Sequence, residues 1–317
     1  MNDTFKLAAI QAASIPFDRE ASLKKACQLI LEAGAMGVTI AAFGETWLPG
    51  YPFFCNAAPS ATGWRAAAEY LANAILIPSA ETDRLCAAAK QAGIDVAIGV
   101  AERDAQSSGT VYCTLLFISS DGRILGRHRK LRPTFHERSV WSDGDAVGLH
   151  TYQRPYGRMS GLNCWEHNMM LPGYALAAEG TEIHVAAWPG KELEVPPASP
   201  SPFTTRQLVL SRAFASQAAC YVIAAAGLRT IDHTPDHYKE LSVSEYTGES
   251  YIIDPRGEII AGPAKGETIL VAEGSREAIL VAKAMCDIGG HYSRPDLLKL
   301  SVDRRPPSRV VDHHAAG

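Results

Sequence analysis

The seven cysteines of this 317-residue chain, Cys27, Cys55, Cys86, Cys113, Cys164, Cys220 and Cys286, include no Cys-x-x-Cys pair. Their number is odd and they lie far apart, which argues against both a disulfide framework and a zinc site. Long apolar runs are missing too: no stretch approaches the ~20 residues that a membrane span needs. Met1 to Lys6 lacks the basic start and apolar core of a secretory signal. These absences predict a cytoplasmic globular protein with no membrane partner. Positive charge is not in excess. With 30 Lys and Arg against 34 Asp and Glu the net charge is −4, and no basic stripe offers itself to nucleic acid. Nor do the histidines have metal spacing. His233 and His237 are separated by Pro235, which disfavours the helix such a pair needs, and His313-His314 stands alone near the end. No metal is implied. Gly157 to Gly161 is not a nucleophile elbow, because Ser160 comes one place late, and Gly262 to Gly266 lacks the Gly-Lys-Ser/Thr ending of a phosphate loop. No internal repeat or low-complexity tract interrupts the chain.

What is present is enough apolar sequence for a sizeable core, 47% of residues, with an ordinary 20% charged. Short apolar runs alternate with segments of helical spacing. Strands are predicted at Phe5–Ala12, Val38–Phe43, Asp95–Glu102, Val111–Ser119, Arg123–Gly126, up to Cys164, Glu182–Ala187, Tyr221–Ala226, Tyr251–Ile253, Glu258–Ala261 and Thr268–Ala272. Helices are predicted at Asp18–Met36, Thr62–Ala74, Thr82–Ala92, Pro172–Glu179, Phe203–Ala219 and Arg276–Asp287, with Gly34 and Gly37 stopping the first. Glu194 to Pro202 carries four prolines and reads as a loop, and the polar tail 301–317 reads as poorly ordered beyond a domain spanning 1–300. The pattern predicts a large, antiparallel-rich α/β layered domain.

Three segments carry chemistry. Cys164 ends a strand-like run and is followed at once by Trp165-Glu166-His167. A strand-end cysteine is ordinarily core filler, and a thiol becomes a nucleophile only beside a base, a cation or backbone N–H groups. Glu45 is ordinarily a solvated carboxylate, but Ala41-Ala42-Phe43 and Trp47-Leu48-Pro49 flank it; burial there would raise its pKa and suit it to act as a base at neutral pH. Lys130 lies in a basic run from Arg127 to Arg138, ordinarily a solvated face or a phosphate patch. Leu131, Pro133 and Phe135 interrupt that run, and Glu137 could orient the lysine so that it stabilises developing negative charge.

Taken in order, Gly44-Glu45-Thr46-Trp47-Leu48-Pro49-Gly50-Tyr51-Pro52, Arg129-Lys130-Leu131-Arg132-Pro133-Thr134-Phe135-His136-Glu137-Arg138 and Asn163-Cys164-Trp165-Glu166-His167 resemble the nitrilase superfamily of carbon–nitrogen hydrolases. His291-Tyr292-Ser293-Arg294-Pro295-Asp296 resembles the closing motif of the true nitrilase branch, and Cys-Trp-Glu-His points to nitrilases and cyanide-degrading enzymes rather than amidases or carbamoylases. The resemblance implies a four-layer α-β-β-α sandwich that pairs into a homodimer or larger homo-oligomer. It implies a Glu45, Lys130 and Cys164 triad with Glu137 as a second glutamate, and the backbone N–H of Trp165 as an anion donor. It also implies hydrolysis of a small-molecule nitrile to acid and ammonia through a covalent cysteine, with no cofactor. Tyr51, Trp165, His167 and Trp188 are expected at the substrate, with Phe53 and Phe54 near them, and aromatic or arylaliphatic nitriles as the class. The family's usual proline before the first glutamate is Gly44 here, which is expected to loosen the backbone.

Overall fold

The computed structural model describes residues 4–194 and 206–308. One six-stranded sheet is built from β1 (Thr4–Gln11), β2 (Ile40–Phe43), β3 (Asp95–Arg103), β4 (Val111–Ile118), β5 (Ile124–Arg129) and the late strand β15 (Thr268–Ser275), in the order β15-β1-β2-β3-β4-β5. The other six-stranded sheet is built from β6 (Tyr152–Arg154), β7 (Gly157–Asn163), β8 (Ile183–Trp188), β10 (Tyr221–Ala226), β13 (Tyr251–Ile253) and β14 (Ile259–Ala261), in the order β14-β13-β10-β8-β7-β6. A three-stranded ribbon of β9 (Glu192–Glu194), β11 (Leu228–Arg229) and β12 (Ser244–Thr247) stands beside them. Each large sheet has a parallel trio at its heart, β1-β2-β3 and β7-β8-β10, flanked by antiparallel strands.

Side chains of successive strand residues point to opposite faces, so one strand serves two layers. Phe5, Leu7 and Ala9 of β1 meet Ile183, Val185 and Ala187 of β8 and Ile223 and Ala225 of β10 in a core between the sheets. Ala8 and Ile10 face the other way, onto Leu23, Ala26 and Ile30 of α1 (Arg19–Ala35) and Leu85 and Ala89 of α3 (Ala80–Ala92). On the far side Ala186, Val222 and Ala224 meet Phe214, Ala215 and Ala218 of α5 (Arg206–Ala218). The four layers are α-β-β-α. With helices or a second sheet on both faces, the central strands read as unbroken apolar runs rather than as alternations.

The remaining helices are α2 (Ala61–Asn73), α4 (Met170–Ala178) and α6 (Arg276–Met285). No helix of the described residues is long and apolar enough to cross a membrane. Several local expectations change. Gly34 lies inside α1 rather than at its stop: an added Cβ would sit 2.8 Å from Ala92, so this glycine lets α1 and α3 approach, and Gly37 at φ +72° ends the helix. β5 runs on through His128 and Arg129, because Arg127 and Arg129 are neutralised by Glu102 at 3.3 and 2.5 Å. The start of the basic run, Arg127 to Arg129, is therefore a paired strand edge. The proline-bearing loop 195–202 and residues 203–205 of the predicted helix lie outside the described residues. The tail is not loose at its start: Val302 packs beside Leu149 and Leu176, and the Arg304 guanidinium donates to the Leu149 carbonyl at 2.9 Å and pairs with Glu179.

Candidate active site

The C-terminal ends of β2, β5, β7 and β8 open on one edge of the sandwich, where ligands gather in open α/β sheets. β2 delivers Glu45, β5 delivers Lys130, β7 delivers Cys164 and β8 ends in Trp188. The Glu45 amide donates to the Trp188 carbonyl at 3.0 Å, which ties the two sheets together at this edge. Gly44 makes that contact possible. A Cβ there would lie 2.5 Å from the Gly227 nitrogen and 2.8 Å from the Trp188 oxygen. The residue expected to loosen the backbone is instead one where three backbones meet.

Lys130 sits between two carboxylates, its Nζ donating to Glu45 Oε1 at 2.8 Å and to Glu137 Oε2 at 2.7 Å. All three side chains are buried. Burial pulls the ammonium down, but Glu137 and Glu45 outweigh it and hold Lys130 well above its ordinary value, so it stays charged. Burial raises the Glu45 carboxyl, Lys130 offsets only part of that and Glu137 adds to it, leaving the group at about 7. Glu45 Oε1 is further engaged by the Cys113 thiol at 3.5 Å, while Oε2 is buried with no hydrogen-bond partner. Glu137 is fixed independently, accepting from the Tyr51 hydroxyl at 2.9 Å and from the Thr134 amide at 2.7 Å.

Cys164 opens a single 3₁₀ turn, Cys164–Asn168, with its own backbone at φ +49°. A non-glycine residue there is strained, and such positions hold only where the surroundings enforce them. Burial and then Glu45 push the thiol well above its ordinary value, against Lys130 and a hydrogen bond from the Trp165 amide. The resting group is a thiol with an anion donor already in place. Glu166, two residues on, accepts from His128 Nε2 at 3.0 Å, the Leu131 amide at 2.8 Å and the Asn163 amide at 2.8 Å. Burial raises its carboxyl, and His128 with the two amides more than reverses this, leaving it below its ordinary value. Glu166 thus clamps the turn after β5 to the end of β7, which sets Lys130 against Cys164.

A cavity of about 500 Å³ opens over this cluster. Cys164 and Glu137 line it, with Tyr51, Trp165, Trp188 and Tyr246 as aromatic wall and Glu192, Arg206 and His136 as polar groups. Arg206 lies over the Trp165 ring at 5.0 Å. Of the four pocket residues expected, Tyr51, Trp165 and Trp188 are at the cavity. His167 is not among its lining: it stacks behind Trp188, ring centroids 5.2 Å apart. Phe53 and Phe54 are also absent from the wall. They pack with Phe17 and Tyr70 in a core below Tyr51, the ordinary fate of buried rings. The segment His291 to Asp296 is an exposed turn closed by Arg294 and Asp296 at 2.6 Å, apart from the cavity lining. Tyr246, Cys113 and Glu166 had no assigned place from sequence. Tyr246 arrives on the ribbon strand β12, about two hundred residues after Glu45, with no local pattern to announce it. Among the described residues no three His, Cys, Asp or Glu side chains gather to hold a metal ion.

The carbon–nitrogen hydrolase family matches residues 6–283. A protein called Nitrilase 2, from an unknown prokaryotic organism, is 54% identical over 96% of this chain and 94% of its own length. An aliphatic nitrilase of Sinorhizobium fredii (strain HH103) is 37% identical, with 97% of this chain and 98% of that protein covered. An arylacetone-specific nitrilase of Alcaligenes faecalis is 35% identical over 96% and 87%. Among solved structures, Nit3 of Saccharomyces cerevisiae, a member of branch 10 of the nitrilase superfamily, superimposes with a TM-score of 0.72 at 21% identity, covering 91% of this chain and 96% of that one. The chain belongs to the carbon–nitrogen hydrolase family and, within it, to the nitrilase branch.

Proposed function

We propose that this protein is a nitrilase that converts a nitrile and two waters, taken up in turn, to a carboxylic acid and ammonia, with Cys164 as nucleophile and Glu45 as base. The observation that carries this reading is the Lys130 ammonium bonded to both Glu45 and Glu137 beside a cavity that Glu137 and Cys164 line, with the Cys164 backbone held at φ +49°. Glu45 takes the Sγ proton as sulfur attacks the nitrile carbon. The carbon–nitrogen triple bond becomes a double bond, and its nitrogen is protonated to give a thioimidate. Lys130 and the Trp165 amide face the developing negative charge. One water adds to the thioimidate carbon, ammonia departs with a proton supplied through Glu45, and a thioester remains. A second water, deprotonated by Glu45, attacks that thioester; the acid leaves and the sulfur regains its proton. Two covalent stages divide one difficult hydrolysis. Glu137, anchored by Tyr51 and Thr134, positions Lys130.

The aromatic wall of Tyr51, Trp165, Trp188 and Tyr246 favours aromatic or arylaliphatic nitriles. Relatives named for aliphatic and for arylaceto substrates make the side chain of the nitrile the discriminating variable. Seven free cysteines suit a reducing cytoplasm, and the exposed Met170 and Leu171 of α4 with Val209 of α5 suit a homodimer or larger homo-oligomer. The test is a panel of phenylacetonitrile, benzonitrile and short aliphatic nitriles beside phenylacetamide, with ammonia, acid and amide all measured. Acid and ammonia from phenylacetonitrile at a rate above that from phenylacetamide supports the reading. Turnover of the amide alone makes the protein an amidase, and an inert protein across the panel makes it a scaffold.

A further inference from the structure

Behind Trp188, outside the substrate cavity, lies a chain of polar groups that the mechanism does not use, with His184, Ser160 and Thr181 buried and His167 half-buried. His167 Nδ1 is 2.7 Å from the Cys164 carbonyl oxygen, His167 Nε2 is 3.0 Å from His184 Nε2, and His184 Nδ1 is 2.8 Å from Ser160 Oγ. Thr181 Oγ1 is within hydrogen-bond distance of both Ser160 Oγ, at 3.0 Å, and the Leu176 carbonyl, at 2.8 Å. The proton positions follow from the one end that has no choice. A carbonyl only accepts, so His167 Nδ1 carries the hydrogen and its Nε2, in a neutral ring, is bare. His184 Nε2 must therefore donate, its Nδ1 must accept, and Ser160 must donate to it. Both rings are neutral: burial brings His167 down to about 4 and His184 well below its ordinary value. The titratable groups that face them are His128 and Glu166, whose own bond to each other is already closed. Stacking holds the rings in place, His167 on Trp188 and His184 on Phe214 at 3.9 Å between centroids.

The chain ends on the carbonyl of the nucleophile itself. That carbonyl shares a peptide plane with the Trp165 N–H, the amide that hydrogen-bonds the Cys164 sulfur. A donor on the oxygen fixes the plane of that peptide and, by polarising it, strengthens the N–H on its other side. It also secures the left-handed backbone of Cys164. Building on the proposed role of Cys164, we propose that His167 and His184 are positioning residues: a one-way relay, Ser160 to His184 to His167 to the Cys164 carbonyl, that orients and sharpens the Trp165 amide facing the sulfur.

The test uses the full-length protein and two readouts. The first is kcat and KM on whichever nitrile of the panel turns over. The second is the pH profile of iodoacetamide alkylation at the Cys164 peptide, followed by mass spectrometry, which needs no nitrile. His167→Leu, which removes the donor, is expected to lower kcat about tenfold with KM within about twofold, less than the loss of a whole oxyanion donor. It is also expected to move the alkylation profile to higher pH. His167→Asn, which returns an N–H at the Nδ1 position, is expected to restore both. His184→Leu and His184→Gln form the matching pair should His167→Leu fail to fold, with glutamine supplying the donor at Nε2. A folded leucine variant with wild-type kcat and an unmoved alkylation profile overturns the relay, as does an asparagine or glutamine variant no better than its leucine counterpart. Failure to hydrolyse any nitrile, with the alkylation profile still shifting, would reject the proposed function and leave the relay standing.

Discussion

Glu45→Gln separates what the site does from what it costs the fold. Glutamine keeps the shape and an oxygen for the Lys130 ammonium, 2.8 Å away, but never ionises. A carboxyl raised from 4.5 to about 7 represents about 3 kcal/mol against the ionised form in the folded protein. The sign follows from where each state ionises. Below pH 4.5 the group is neutral folded and unfolded, and no penalty operates. As the pH climbs from 4.5 through 7 the unfolded chain releases its proton first, so the wild type loses stability until the full penalty is reached above 7. Glu45→Gln escapes that loss. Its stability relative to wild type should therefore grow with pH, by about 3 kcal/mol between pH 4.5 and 8.5, or roughly 5 °C in Tm for a chain of this size. Removing the base should meanwhile lower kcat by roughly 10²- to 10⁴-fold, and wild-type kcat/KM should rise with pH along a limb centred near 7. Scanning fluorimetry across the pH range, beside ammonia release, reads both. A stability gap that stays constant with pH, or a Glu45→Gln enzyme at wild-type rate, would refute the reasoning.

Two further substitutions probe how the site is held. Gly44→Ala places a methyl group 2.5 Å from the Gly227 nitrogen, so about 1–3 kcal/mol of stability and most of kcat should go together, since Glu45 is the next residue; calorimetry and initial rates check it, and a silent substitution would mean the three backbones are not packed there. Glu166→Gln puts an amide NH₂ where both carboxylate oxygens face N–H donors, from Leu131 on one side and Asn163 on the other. A loss of about 3 kcal/mol in urea unfolding is expected, and a loss near zero would show that the clamp between β5 and β7 carries little.

Much of this architecture was legible in the chain because both sheets are buried on two faces. Runs such as Ala41-Ala42-Phe43 and Tyr221 to Ala226 announce central strands by composition alone. Strand ends then brought Glu45, Lys130 and Cys164 to one edge, and the apolar neighbours of Glu45 foretold its raised carboxyl. What stayed hidden is what spacing does not encode. Tyr246 reaches the cavity on a ribbon strand too short to show a period. His167 followed the nucleophile closely enough to be expected at the substrate, yet a 3₁₀ turn directs it back onto its own backbone. Gly44 read as freedom because a glycine's missing Cβ says nothing of what approaches it; only the fold shows Gly227 and Trp188 there. Glu166 read as a family signature; one of its hydrogen-bond donors, Asn163, is local, but His128 of β5 and Leu131 of the turn after it come from more than thirty residues earlier.

The covalent role of Cys164 is tested most directly by acid-quenching the enzyme with phenylacetonitrile during turnover and mapping the adduct by peptide mass spectrometry. An increment is expected on the Cys164 peptide, equal either to the acyl group, formed with a burst of ammonia, or to the imidoyl group, which keeps the nitrogen and gives no burst; a folded Cys164→Ala protein should show neither adduct nor turnover. Turnover that persists in Cys164→Ala, or an adduct on Cys113 in its place, would contradict it.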